Sequence, residues 1–219
     1  MSAPDPFAPR GRAMSRMRLM AITIAPIAVI LVAILIVNLL TNTERALDEA
    51  RRDMASMVKT LSERFDGELR RVAQVAEQTG RAVTVLSHRR PLTEDETYAL
   101  LDNGVLQDAL IYGAAMAFVA GGFEGRSAYS PYVYRNGVIP DSLSRLDIAG
   151  AYDYLNDPEV RWYHDPMTTG RPVWSEPYFD EGAGNIMMST YSVPFAGPGG
   201  EPLGVTTIDI PLRPLQSFV

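Results

Sequence analysis

The sequence predicts an α+β fold: an N-terminal transmembrane helix running into a long stalk helix, which packs on an antiparallel sheet. Three observations predict it. Residues 19–40 carry no charge. From Leu47 to Val83 apolar residues recur mostly three and four positions apart, one stripe on a long helix. Further on, β-type runs alternate with Gly- and Asn-containing turns too short for crossover helices, which requires antiparallel pairing.

The charge-free run, LMAITIAPIAVILVAILIVNLL, has 22 residues. As a helix it spans roughly 33 Å, against a bilayer core of about 30 Å. A secretory signal core is shorter, about 7–15 residues, and ends at a small-residue cleavage site. Here the run leads straight into Thr41-Asn42-Thr43-Glu44, so an uncleaved anchor is expected. Arg10, Arg12, Arg16 and Arg18 against Asp5 give residues 1–18 a charge of +3, whereas residues 41–219 carry −9. The positive-inside rule places the basic tail in the cytoplasm and the acidic portion outside the cytoplasmic membrane. The overall −6 therefore joins two unlike parts.

Composition excludes several function classes. With no cysteine there is no disulfide scaffold, thiolate zinc site or cysteine nucleophile. The two histidines, His88 and His164, are too far apart for a local metal motif, and no basic stripe marks a nucleic-acid binder. No metal and no cofactor are expected. G-x-S-x-G, H-E-x-x-H and P-loop patterns are missing, and Asp180–Asn185 lacks EF-hand spacing, so the chain is not expected to be an enzyme.

The stripe runs through Leu47, Ala50, Met54, Met57, Leu61, Phe65, Leu69, Val72 and Val75, with charges of both signs between. It predicts one helix over 42–86, ended by Arg90-Pro91. Such a helix must bury its stripe on the following domain, on a second copy, or on both. Thr93-Glu94-Asp95-Glu96 is a capping box opening a shorter helix to about Asp108. Strands are expected at Ile111–Val119, at Tyr132–Arg135 and Val138-Ile139 around Asn136-Gly137, at Val173–Ser175, Met187–Pro194 and Gly204–Ile210. Gly182–Asn185 and Gly197–Gly200 read as turns. The expected domains are a basic tail (1–18), a membrane helix (19–40), a stalk (41–91) and a sheet lobe (92–215).

Asp157-Pro158 reads as an N-cap followed by proline at the first helical position, opening a helix over 158–165 that Pro166 stops. It displays Arg161, Trp162, Tyr163 and Asp165, and Trp174-Ser175-Glu176-Pro177-Tyr178-Phe179-Asp180 follows soon after. Aromatic rings with polar handles suit a pocket for a small polar ligand. An ammonium can rest on a ring face while Asp209 binds it; a ligand carboxylate would want Arg161 or backbone N–H groups. The same aromatics would also fill the core of a small sheet domain, and residue types alone leave both readings open.

The order of these residues adds to that reading. WYHDPMTTGRPVWSEPYFDEGAGNIMMSTYSVPF, followed by GEPLGVTTIDIPLRPL, resembles the Cache family of extracellular sensor domains, in particular the membrane-distal lobe of a double Cache domain. The resemblance covers about residues 42–215. It implies a long helix lying along a PAS-like antiparallel sheet, with a small molecule bound in the distal lobe on the concave side of the sheet. WSEPYFDEGAGN…TYSVPF also looks like the variant fused to HAMP and phosphatase or kinase modules. Of the family's amino-acid-binding pattern, Trp162, Tyr163 and Tyr178 match, and Asp209 matches the aspartate that holds the ligand's amino group. The family's arginine falls on Val160, with Arg161 out of register, and its upstream tyrosine falls on Leu155, next to Tyr154. The resemblance further implies a second lobe, a second membrane span and an output module, so the chain reads as the N-terminal sensory region of a bacterial transmembrane receptor.

The expected function is therefore extracytoplasmic small-molecule sensing for a membrane signal-transduction receptor in the cell inner membrane. The ligand-binding residues would be Trp162, Tyr163, Tyr178, Asp209, Arg161 and Asp165. The expected partners are a small ligand (amino acid, amine or carboxylate), the membrane and a second copy through the stalk, with no nucleic acid. The alternative is a membrane-anchored dimerisation or interaction protein without a small-molecule ligand.

Overall fold

A computed structural model of the chain describes residues 11–137, 142–181 and 184–212. The chain divides into two units at Thr60–Leu61. Helix α1, Gly11–Ser87, is continuous in secondary structure across the boundary.

In the first unit the helix contains an 18-residue window of mean hydropathy 3.0, none of it buried, long and apolar enough to cross a membrane. Pro26 sits inside it. Thr41 and Thr43 donate their hydroxyls back to the carbonyls of Val37 (2.9 Å) and Leu39 (3.0 Å). Both hydroxyls are thereby satisfied within the helix itself, which continues beyond the charge-free run. The stripe residues Leu47, Met54 and Met57 are exposed, as is Val58 beside them.

The second unit holds the end of α1, helix α2 (Glu94–Leu106) and seven strands in one sheet among the described residues. The strands are β1 (Gly113–Phe118), β2 (Pro131–Arg135), β3 (Leu143–Asp147), β4 (Val173–Trp174), β5 (Tyr178–Phe179), β6 (Met187–Ala196) and β7 (Pro202–Pro211). Their order is β3-β2-β1-β7-β6-β4, with β5 also on β6, and every pairing is antiparallel. The last strand in sequence thus lies at the centre, between β1 and β6. Period-two alternation divides it into two faces. Ile208 and Ile210 join Met116, Phe118, Val72, Val75 and Leu101 in the main core. Gly80 brings α1 close to the sheet, since a Cβ there would lie 3.2 Å from Val193 and 3.3 Å from Thr206. The opposite face, with Val205, Thr207 and Asp209, is covered by the segment 148–160 and helix α3 (Arg161–Thr169).

Helix α2 begins at the expected capping box: Thr93 Oγ1 accepts from the Glu96 N–H, and Glu96 accepts from the Thr93 N–H at 3.0 Å. Three acids in its first turn complement the helix dipole. Arg90 clamps Glu96 from outside and, with the Thr93 N–H, holds its carboxyl down at about 2.

Several local expectations are corrected. The end of helix α1 is not among them: it falls at Ser87, one residue beyond the expected 86. The partner of β2 is Leu143–Asp147, so Asn136-Gly137 opens a longer connection closed by Asn136 N–H donating to the Ser142 carbonyl (3.3 Å). Val138-Ile139 and Gly182-Ala183 lie outside the described residues. Helix α3 starts at Arg161 and contains Pro166. The Asp157 carboxyl accepts from the Glu159 N–H (3.0 Å) and its carbonyl from the Val160 N–H (3.1 Å), so Asp157-Pro158 makes a turn. Asp and Pro at the first two turn positions serve that purpose equally well. Pro166 sits one turn in, where it withholds a single N–H, and left-handed Gly170 (φ 63°) ends the helix.

Candidate functional site

Two neighbouring hollows lie on the α3 side of the sheet. The inner one has a volume of about 20 Å³, room for one water. Its walls include the rings of Tyr132, Tyr152, Trp162 and Tyr178 and the carboxyls of Asp180 and Asp209. The outer chamber is about 450 Å³ and is lined by Trp162, Trp174, Pro177, Arg161, Asp165 and Glu176, among others. Tyr152, Trp162 and Tyr178 belong to both and form the partition between them.

Each wall follows from local structure. Asp209 stands on the central strand β7, paired with Gly113 of β1 and Thr190 of β6. Thr190 Oγ1 donates to Asp209 Oδ1 at 2.7 Å, and the Tyr178 hydroxyl lies 2.8 Å from Thr190 Oγ1. A threonine hydroxyl carries one proton, so Tyr178 is the donor to Thr190 when Thr190 donates to Asp209. Asp180 directly follows β5 and is held by the backbone after it. It accepts from the Gly184 N–H and the Tyr152 hydroxyl, and Tyr152 also reaches the Glu181 carbonyl at 2.6 Å. The Tyr112 hydroxyl donates to the Gly184 carbonyl (3.1 Å), fixing the same turn from β1's side.

Burial pushes the Asp209 carboxyl up to about 7, a rise that Thr190's hydrogen bond moderates and the neighbouring Asp180 carboxyl reinforces. Tyr132 and Tyr178 are raised well above the usual phenol range by the same burial, and Tyr152 by burial and its bond to Asp180. The phenols are therefore donors at neutral pH. The described residues of the inner hollow include no basic side chain. Buried carboxyls without a cation nearby favour an occupant that brings a positive charge.

Of the expected site residues, the structure brings together Trp162, Tyr178 and Asp209 at the inner hollow. Arg161 and Asp165 line the outer chamber, where Arg161 Nε lies 3.3 Å from Asp165 Oδ2 in an exposed one-turn pair. Tyr163 lines neither hollow. It packs edge-on against Tyr154 (4.9 Å between centroids) in a core cluster with Ala117, Val160 and Val205. The alternation of α3 explains this, because adjacent helical residues point about 100° apart and Trp162 takes the cavity side. Tyr154 is also core: its hydroxyl binds the Phe118 carbonyl (2.7 Å) and accepts from the Tyr129 N–H (3.2 Å).

Sequence reasoning missed Tyr132, Tyr152, Asp180 and Thr190. Thr190 carried a usable signal, since it alternates in phase with the buried face of its strand, whereas Tyr132 lies in a run of three consecutive buried residues and has no such phase. Asp180 and Tyr152 carried none, because their meeting joins loops 28 residues apart.

A family model described as methyl-accepting chemotaxis protein-like, first PDC sensor domain, matches residues 97–217. No curated protein matches the chain. Among solved structures, the extracellular domain of soHK1S-Z6, described as a histidine kinase, is 30% identical. Its TM-score is 0.53, over 73% of this chain and 64% of that one. Methyl-accepting chemotaxis protein X shares the fold at 16% identity and TM-score 0.59, over 75% of this chain and 63% of that one. So does the ligand-binding domain of the Campylobacter jejuni chemoreceptor Tlp3, solved with 4-methylisoleucine, at 14% identity and TM-score 0.56, over 75% and 59%. The chain spans 64% of the soHK1S-Z6 domain and 56% and 57% of two further histidine kinase extracellular domains. With its antiparallel sheet, its long apolar N-terminal helix and residues 97–217 matching the model, the chain belongs to the methyl-accepting chemotaxis protein-like first PDC sensor domains.

Proposed function

We propose that this chain is the extracytoplasmic sensing part of a membrane receptor and that its ligand carries a protonated amine. The observation that carries this reading is the pairing of Asp180 and Asp209 in one hollow walled by aromatic rings, with no basic side chain among its described lining residues. The inner hollow is the size of an ammonium head, and the outer chamber, mostly carbon, suits an apolar body. The ligand complex of Tlp3, which shares the fold, supports small-molecule sensing on such a sheet. The finer assignment to a double Cache distal lobe rests on the Trp162–Phe195 and Gly200–Leu215 motifs.

In the same proposal residues 1–18 lie in the cytoplasm, 19–40 cross the inner membrane, 41–91 form the stalk and 92–215 the sensor lobe. The exposed stripe residues Leu47, Met54 and Met57, with Val58 beside them, support pairing with a second copy. Ligand binding would then shift a population of stalk arrangements, with any output activity belonging to the full receptor.

The test is a thermal-shift screen of the full chain in detergent micelles with amines, amino acids and carboxylates lacking an amine. Amine-bearing compounds are expected to raise the melting temperature, and the effect should vanish in Asp209→Asn. A response to amine-free carboxylates alone would overturn the reading.

A further inference from the structure

The inner hollow imposes a size limit that the outer chamber does not. At about 20 Å³ it holds one non-hydrogen atom with its protons, whereas the chamber outside measures about 450 Å³. Strand register shows what bounds it. Ala115 of β1 pairs with Tyr132 of β2 on one side and with Thr207 of β7 on the other. Directly paired residues share a sheet face, so the alanine methyl stands between a ring and a threonine on the floor of the hollow. From the covering segment Ile148 joins Ala115 and Tyr132 in one cluster, and each of the three is at most 5% exposed. Walls packed in this way yield little to an oversized occupant.

The polar groups act in the same direction. Asp209 accepts from Thr190, and Asp180 accepts from the Gly184 N–H and the Tyr152 hydroxyl. A carboxylate offers about four acceptor positions, so both acids keep capacity for further donors. A primary ammonium brings three N–H groups to that capacity. Each N-methyl group removes one donor and adds one carbon. The aromatic walls alone would suit a quaternary ammonium as well. A trimethylammonium head, however, has four non-hydrogen atoms for a space of one and no donor for either carboxyl.

We propose that the inner hollow admits an unmethylated primary ammonium and rejects N-methylated ones, and that Ala115 sets this limit. The limit rests on the reading that the ligand binds through its amine, and it decides which amines qualify.

The experiment measures binding to the full chain in micelles by calorimetry. Two probe series are used, 2-phenylethylamine and n-hexylamine, each as the primary, the N-methyl and the N,N,N-trimethyl form. All are cations at neutral pH, so charge does not vary within a series. The primary form should bind at least about tenfold more tightly than the N-methyl form, the scale of forcing an extra methyl into a packed site. The trimethyl form should give no saturable heat. Ala115→Gly removes one methyl from the floor and should bring the N-methyl form to within about threefold of the primary one. Ile148→Val trims one methyl from the cover and serves as a second enlarging variant should glycine unsettle β1. Equal affinity for primary and N-methyl forms in the parent, or a preference that neither enlarging variant reduces, would overturn the proposal. Absence of binding by every form would instead overturn the amine reading, and the limit with it.

Discussion

Thr190 on β6 donates its hydroxyl to the carboxyl of Asp209 on β7, 2.7 Å away across the central strand pair. Tyr178 extends the chain from the other side of Thr190. A neutral relay of hydroxyls thus satisfies one oxygen of a fully buried acid, and leaves its charge without a counter-ion. The central strand of the sheet thus carries a carboxyl that burial makes costly to ionise.

That arrangement predicts a pH-dependent stability of unusual sign. Asp209 is raised from 3.8 to about 7, so between these values the folded chain holds a proton that the unfolded chain has lost. Stability then falls as pH rises across this window and levels off above it. Asp209→Asn keeps an acceptor for Thr190 and removes the charge. Its melting temperature should exceed the parent's at pH 8, by an amount worth a few kcal/mol at most, and the two should converge near pH 4. Binding of an amine should tighten with rising pH up to about 7 and be lost in the variant. A melting advantage independent of pH would refute the linkage.

Gly113 is predicted to be indispensable to the inner hollow. It pairs with Asp209 on one side and Tyr134 on the other, and a Cβ built there would overlap the ring of Tyr132. Gly113→Ala must displace that ring, which forms one wall. A loss of about 1–3 kcal/mol in urea unfolding is expected, the usual range for overpacking. Amine affinity measured by calorimetry should fall with it. Parent-like stability together with parent-like affinity would show that Tyr132 is not held as described.

How far the sequence revealed these features depended on the range of the interaction that fixes them. The capping box at Thr93 and Glu96 was legible because both partners lie within four residues. The helix of α1 was legible from its three- and four-residue periodicity, and the buried run of β1 from its shortness and the Gly121-Gly122 that follows it. The boundaries of α3 were not, because Asp157-Pro158 satisfies the rules for a turn and for a helix start alike, and packing of Val160 and Tyr163 in the core favours the turn. The site was half legible. Trp162, Tyr178 and Asp209 followed from the resemblance, whereas Asp180 and Tyr152 meet only after the β5–β6 turn and the 148–160 segment have docked. Tyr163 illustrates the opposite case: its chemistry suited a pocket, but its helical phase points it into the core.

Tyr154→Phe should weaken the core beneath the site without altering its chemistry. The buried Tyr154 hydroxyl donates to the Phe118 carbonyl and accepts from the Tyr129 N–H. Removing it leaves that N–H buried without its partner, which costs about 1–3 kcal/mol. The urea midpoint should drop accordingly, while the pH profile of amine binding keeps its midpoint near 7. A shifted midpoint would mean that Tyr154 influences Asp209, which the core position of its ring does not provide for.

Arg161→Ala distinguishes two kinds of amine ligand. The guanidinium is exposed at the outer chamber and pairs with Asp165 across one helical turn. Such a surface pair contributes about 0.3–0.5 kcal/mol, so stability should barely change. If the body of the ligand ends in a carboxylate, that group would reach Arg161 and exchange it from Asp165, and the variant should lose roughly tenfold in affinity or more for that ligand. An amine with an apolar body would rest on carbon surface such as Trp162, Trp174, Val173 and Pro177 in the same chamber, and its affinity should be unchanged. Measuring one ligand of each kind against the parent and Arg161→Ala separates the two. Equal losses for both would mean that Arg161 acts by shaping the chamber, and a charge-pairing role for it would be withdrawn.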